Sequence, residues 1–155
     1  MSQNLPAENQ KTIGWYYLIV AAVSLVGLGD AIYLTVKHIS GESLRCTIVT
    51  GCSEVLSSPY AQLGPVPLAA IGAAAYFTVF SFAVLAAFGY RFAIPILRIV
   101  LALMFLTTLW LLYLQAFVIR HFCQYCLLSA AVTTVLTLLV FLPLVRRKQN
   151  PEVSG

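Results

Sequence analysis

Polar residues fall in a few short stretches of this chain, and the apolar runs between them set its architecture. Those runs cover approximately Ile13 to Val36, Val66 to Gly89, Ile96 to Ile119 and Phe122 to Val145. An α-helix needs roughly 20 apolar residues to cross a bilayer core, and each run has about that length. The pattern predicts an all-α, integral membrane four-helix bundle over 13–145, with polar tails at 1–12 and 146–155. The first tail contains Pro6 and is expected to be unstructured. The first run is longer than a signal-peptide core, and no clear small-residue cleavage site follows it, so it reads as a span.

Four crossings return both termini to one side and leave two connections on the other: a long one from Lys37 to Pro65, and a very short one around Arg120 and His121. Within the long one, Cys52 to Ala61 mixes apolar and small polar residues before Pro59 stops any helix, which predicts a short helix along the membrane interface. Gly64, Pro65 and Pro67 then turn the chain into the second span.

Composition leaves little room for anything else. The 155 residues are 61% hydrophobic and 9% charged, and the mean hydropathy is +0.92, which excludes a soluble globular domain and makes lipid the solvent. The net charge of +4 forms no basic stripe, so nucleic acid is not an expected partner. The basic residues read as topology signals instead. Lys11, Arg91, Arg98, Arg146, Arg147 and Lys148 lie on the side of the termini, and Lys37, Arg45 and Arg120 on the other. Cytoplasmic loops carry the excess of Lys and Arg, so the expected protein is a multi-pass plasma (inner) membrane protein with cytoplasmic termini and outward-facing cysteine-bearing connections.

Cysteine spacing supplies the candidate chemistry. Cys123 and Cys126, in C-Q-Y-C, stand where the fourth helix begins. Free amides and the helix dipole favour a thiolate there, and two thiols at i, i+3 close into a reversible disulfide. Cys46 and Cys52 occupy the other outward connection, so topology alone brings two pairs to one face. These residues permit a redox relay, a structural disulfide in the loop, or a zinc site made of the four thiols or of three plus His121. A small loop gains little entropy from closure, and no supporting carboxylate is obvious for an outward-facing metal, so the relay is favoured and no metal is expected.

The order of these cysteines, with Ser58 between them, resembles the vitamin K epoxide reductase family in its bacterial and archaeal branch, without a fused thioredoxin-like domain. The likeness extends through G-D-A-I-Y-L-T-V-K-H (Gly29 to His38), G-C-S-E-V-L-S-S-P-Y-A (Gly51 to Ala61), G-P-V-P-L-A-A-I-G-A-A-A-Y (Gly64 to Tyr76) and F-C-Q-Y-C (Phe122 to Cys126). It implies a membrane thiol oxidoreductase that takes electrons from a separate thioredoxin-like or DsbA-like secretory protein and gives them to a membrane quinone, menaquinone or ubiquinone. In the implied sequence Cys46 receives the partner, Cys52 attacks Cys123, and Cys126 delivers electrons to the quinone. The DsbB type of quinone-coupled oxidase carries its C-x-x-C in the first outer loop, the reverse of the order here. A membrane scaffold with structural disulfides is the non-enzymatic alternative.

Other side chains have weaker claims. Ser58 is a candidate hydrogen-bond donor to the quinone, with Ser57 as substitute, and Phe122 and Tyr125 flank the motif as candidate lining. Asp30 is the one acid in a predicted span, hence a functional candidate, with a helix-end anchor or a pair with Lys37 as the favoured reading. His38 and His121 could carry protons, but solvation is the simpler role. Trp15, Trp110 and most tyrosines read as lipid or interface anchors, and Gly72 with Ala73 to Ala75 as a close-packing stripe. Vertebrate members of the family carry an asparagine near the start of the second span and a tyrosine one turn after the last cysteine. Leu68 and Ala130 stand there in this chain, which counts against epoxide reduction.

Overall fold

A computed structural model describes residues 7–42, 47–48 and 51–149. Cys46 lies outside them. Four of the helices are long and apolar enough to span a membrane, in segments Ile13–Ser40, Leu68–Ala87, Ala93–Ile119 and Gln124–Leu142. The protein is an all-α, multi-pass membrane four-helix bundle.

Helix α1 (Ala7–Ser40) begins six residues before the apolar run. Ala, Glu, Gln and Lys in that stretch are good helix formers, so the helix continues where hydropathy stops. At its other end it runs to Ser40, and Gly41 at φ 66° takes the left-handed position that closes a helix. Helix α2 (Cys52–Ser57) is the short helix expected in the long connection, followed by a single 3₁₀ turn at Pro59–Ala61. A two-stranded hairpin, β1 (Gln62–Leu63) against β2 (Val66–Pro67), then turns at Gly64, φ 66°, and feeds α3 (Leu68–Ala87). Helix α3 closes on Gly89, φ 93°, with the Tyr90 amide bonded to the Leu85 carbonyl at 3.1 Å. Helix α4 (Ala93–Tyr113) passes directly into a π-helical turn, Leu114–Ile119, which ends at Arg120 in a left-handed conformation, φ 56°. Helix α5 (Gln124–Gln149) completes the bundle.

The bundle core centres on Tyr76 of α3. Its ring fills a notch in α1 at Gly27, where a Cβ would stand 2.3 Å from the ring. The hydroxyl bonds across to α5, 2.8 Å from Ser129 Oγ, 2.9 Å from Thr133 Oγ1, and donating to the Ser129 carbonyl at 2.9 Å. Val20, Val79, Leu97, Leu101 and Leu136 pack in the same cluster, all fully buried. Close packing expected at Gly72 occurs at Gly27 instead, because a Cβ on Gly72 would meet only open space. Trp15 and Trp110 are exposed on the outer surface of the bundle, as lipid-facing anchors are.

Replacing Gly27 by alanine is expected to displace the Tyr76 ring and destabilise the bundle by about 1 to 3 kcal/mol. Tyr76→Phe, which leaves Thr133 short of a partner, should cost about the same. Thermal unfolding in detergent measures both, and unchanged midpoints would contradict this account of the core.

Candidate active site

Cys123 immediately precedes α5, and its carbonyl accepts the helix's first bond from the Leu127 amide at 3.0 Å, so it is the N-cap residue. Its sulfur takes up the hydrogen bonds that an N-cap side chain accepts. The Cys126 thiol donates to it, and so do the amides of Cys126 and Tyr125 in the first turn. Together they outweigh burial and pull the Cys123 thiol down to about 7. The i, i+3 spacing thus gives two unlike thiols, an acidic one capping the helix and a neutral one that stabilises it. Both are free thiols.

Cys52 opens α2 and is disulfide-bonded. It is 1% exposed and packs with the fully buried Cys123 in one small cluster that includes Leu34 and Val55. The close approach has a backbone cause. A Cβ on Gly51 would lie 2.9 Å from the Phe122 carbonyl oxygen and 3.0 Å from His121 Cβ, so a glycine at this position lets the chain before α2 press against the turn before α5.

Two glutamines, passed over in the sequence, complete the arrangement. Gln124, the second residue of C-Q-Y-C, receives hydrogen bonds on Oε1 from the Thr47 amide at 3.2 Å, the Thr47 hydroxyl at 3.3 Å and the Ile48 amide at 3.1 Å. It clamps the residues following Cys46 to the head of α5. Gln115, turned inward by the π-helical turn and 3% exposed, accepts the Cys123 amide at 3.5 Å and is hydrogen-bonded to Cys126. Each is the lone amide side chain of its predicted span, the one signal that could have found it.

Beneath the cysteines, a largely apolar cavity opens among α1, α2, the start of α3, the end of α4 and the start of α5. Cys126, Gln115, Ser58, Asp30 and His38 line it, as do Leu68 and Ala130. Mostly hydrophobic walls with a few polar groups suit a flat, weakly polar ring. Ser58 is present, but its hydroxyl donates to the Val55 carbonyl at 2.7 Å and is committed to ending α2, so it offers the cavity an acceptor. Phe122 and Tyr125 do not line this cavity. Phe122 is 43% exposed, and Tyr125 packs on Tyr33 of α1 with ring centroids 5.4 Å apart. Lys37 pairs with Glu42 rather than Asp30, and His38 meets Gln62 of β1 at 2.9 Å. His121 flanks the turn at Gly51, away from the cavity lining.

The vitamin K epoxide reductase family model matches residues 18–141, a stretch that takes in Cys46, Cys52, Cys123, Cys126 and the cavity.

The electrostatics of the pair can be titrated. With Cys46 and Cys52 replaced by alanine and the remaining thiols reduced, the ultraviolet thiolate absorbance should rise as pH increases through about 7. Thiolate is lost below that point, because protonation of Cys123 removes the acceptor of its three hydrogen bonds. Adding Cys126→Ala removes the largest of these stabilising contacts and should move the transition upward; an unmoved midpoint would show that the Cys126 thiol does not set it.

Proposed function

Because the chain belongs to the vitamin K epoxide reductase family and so is a membrane thiol oxidoreductase, we propose that it makes disulfides in a separate thioredoxin-like or DsbA-like protein and passes the electrons to a membrane quinone. The observation that carries this reading is the burial of Cys52 against Cys123, which sets a sulfur of the loop pair beside the acidic thiol of C-Q-Y-C. A scaffold would have no use for an activated thiol at that place.

In the proposed sequence, Cys46 and Cys52 form the entrance disulfide. A thiolate of the partner attacks Cys46, and Cys52 leaves. Cys52 then attacks Cys123 of the oxidised C-Q-Y-C pair, displacing Cys126. Release of the partner frees Cys46, which attacks Cys52 and expels Cys123. A leaving thiol with a low pKa departs faster, so the amides and thiol that hold Cys123 near 7 favour this resolving step. Cys126, on the cavity wall, is the sulfur that meets the quinone. Leu68 and Ala130, also on that wall, present no hydrogen-bond donor where the epoxide-reducing members have an amide and a phenol, which favours a plain quinone as substrate. The excess of Lys and Arg on the side of the termini supports an extracytoplasmic position for the cysteine end.

Reconstitution with a defined quinone and a reduced DsbA-like protein tests the scheme by following quinol formation. Turnover is expected to require all four cysteines. Cys46→Ala should abolish turnover with the protein substrate and spare that with a small dithiol. Gly51→Ala should slow electron transfer from the loop pair to C-Q-Y-C by roughly tenfold or more, since a small misplacement of reacting groups is costly. Quinol formation independent of cysteine, or full quinone reduction by Cys126→Ala, would overturn the scheme.

A further inference from the structure

Asp30 is the single acid within the four spans, and no counterion among the described residues explains it. Lys37, two turns along the same helix, is taken by Glu42. Oδ2 of Asp30 is buried and has no hydrogen-bond partner among the described residues. Among the described residues, the titratable groups that act on Asp30 from neighbouring elements are Tyr76 on α3 and Cys123, Tyr125 and Cys126 at the head of α5, and none of these is a cation. A carboxylate in such a wall would be uncompensated, so the wall accommodates the protonated acid.

Its position is also specific. Asp30, Leu34 and His38 recur at i, i+4 and i+8 along one face of α1, and all three line the cavity that Cys126 lines. Farther along that face, His38 meets Gln62 and is partly exposed. The acid and a partly exposed imidazole therefore share one wall.

We propose that Asp30 is the acid that delivers the second proton to the quinone, an inference that rests on the quinone-reducing reading of this cavity. In the step concerned, one S–S bond forms between Cys123 and Cys126, the Cys126 S–H bond breaks, and two electrons enter the quinone. Two O–H bonds must form on it. Cys126 brings one proton, but Cys123 has none to give when it reacts as the thiolate. The Asp30 carboxylic acid supplies the other, is left a carboxylate, and regains a proton from water at the cavity mouth by way of His38. The products are a disulfide and a quinol, and the charge of the starting thiolate resides on Asp30 until it is reloaded.

The test is single-turnover quinol formation by protein whose C-Q-Y-C pair has been reduced beforehand, with ubiquinone-1 and menaquinone-1 as probes. Quinone affinity is followed separately by quenching of intrinsic fluorescence. Asp30→Asn keeps the shape and removes the transferable proton; quinol formation should slow by roughly 10²-fold or more, as loss of a general acid does, with affinity changed by less than about threefold. Asp30→Glu should restore most of the rate. The inference is overturned if Asp30→Asn reduces quinone at the wild-type rate, if its loss is a loss of binding, or if the glutamate variant is as slow as the amide. Absence of cysteine-dependent quinol formation in the wild-type protein would instead overturn the functional reading beneath it, and the two failures are told apart by that arm.

Discussion

The phenol of Tyr76 holds three of the four spanning helices together, and the site inherits its shape from that contact. The ring occupies the space left by the missing side chain of Gly27 on α1, and the hydroxyl is shared among Ser129 and Thr133 on α5. Between lipid-exposed helices there is little hydrophobic force to drive association, because lipid is as apolar as the core. Close approach and satisfied hydrogen bonds must do that work, and this one side chain supplies both. Asp30 lies one turn from Gly27 on the same face of α1, and Ser129 lies one turn from Cys126 on α5. The contact that fixes the bundle therefore fixes the distance between the wall bearing the acid and the wall bearing the thiol.

Above that core, the site separates two cysteines of nearly identical sequence context into different chemical roles. The helix start assigns the acidic role to Cys123, since an N-cap side chain faces the first-turn amides and the residue three positions on does not. Cys126 is left to donate to its neighbour and to face the cavity. Gln115 and Gln124 serve this division from opposite sides, one from the membrane interior and one from the aqueous connection. Burial of Cys52 beside Cys123 then joins segments some seventy residues apart in sequence with neither residue open to water.

Much of this was legible in the order of residues. Runs of apolar residues of spanning length, the turn at Gly64 and the stop at Pro59 gave the spans and the short helix; helix ends such as Ala7, where good helix formers carry a helix past its apolar segment, the hairpin of β1 and β2, and the π-helical turn at Leu114–Ile119 were not legible. The cysteine positions followed from topology alone, since four crossings leave no other arrangement of the two connections. Phe122 and Tyr125 show where sequence proximity misleads. They adjoin the motif, yet a helix start points consecutive side chains in different directions, so Tyr125 packs on α1 while Cys126 meets the cavity.

By itself the sequence determined the number of spans, the common end of the bundle to which the described cysteines come, and the helix start that makes one of them acidic. Tertiary structure alone decided that Lys37 turns to Glu42 while Asp30 Oδ2 finds no partner among the described residues, that Gly27 rather than Gly72 is the notch, and that Gln115 faces inward. The reason lies in the solvent. In water an amphipathic pattern announces which face of a helix is buried, but in lipid both faces are apolar, so the rotation of each helix is set by packing against its neighbours and not by its own residues.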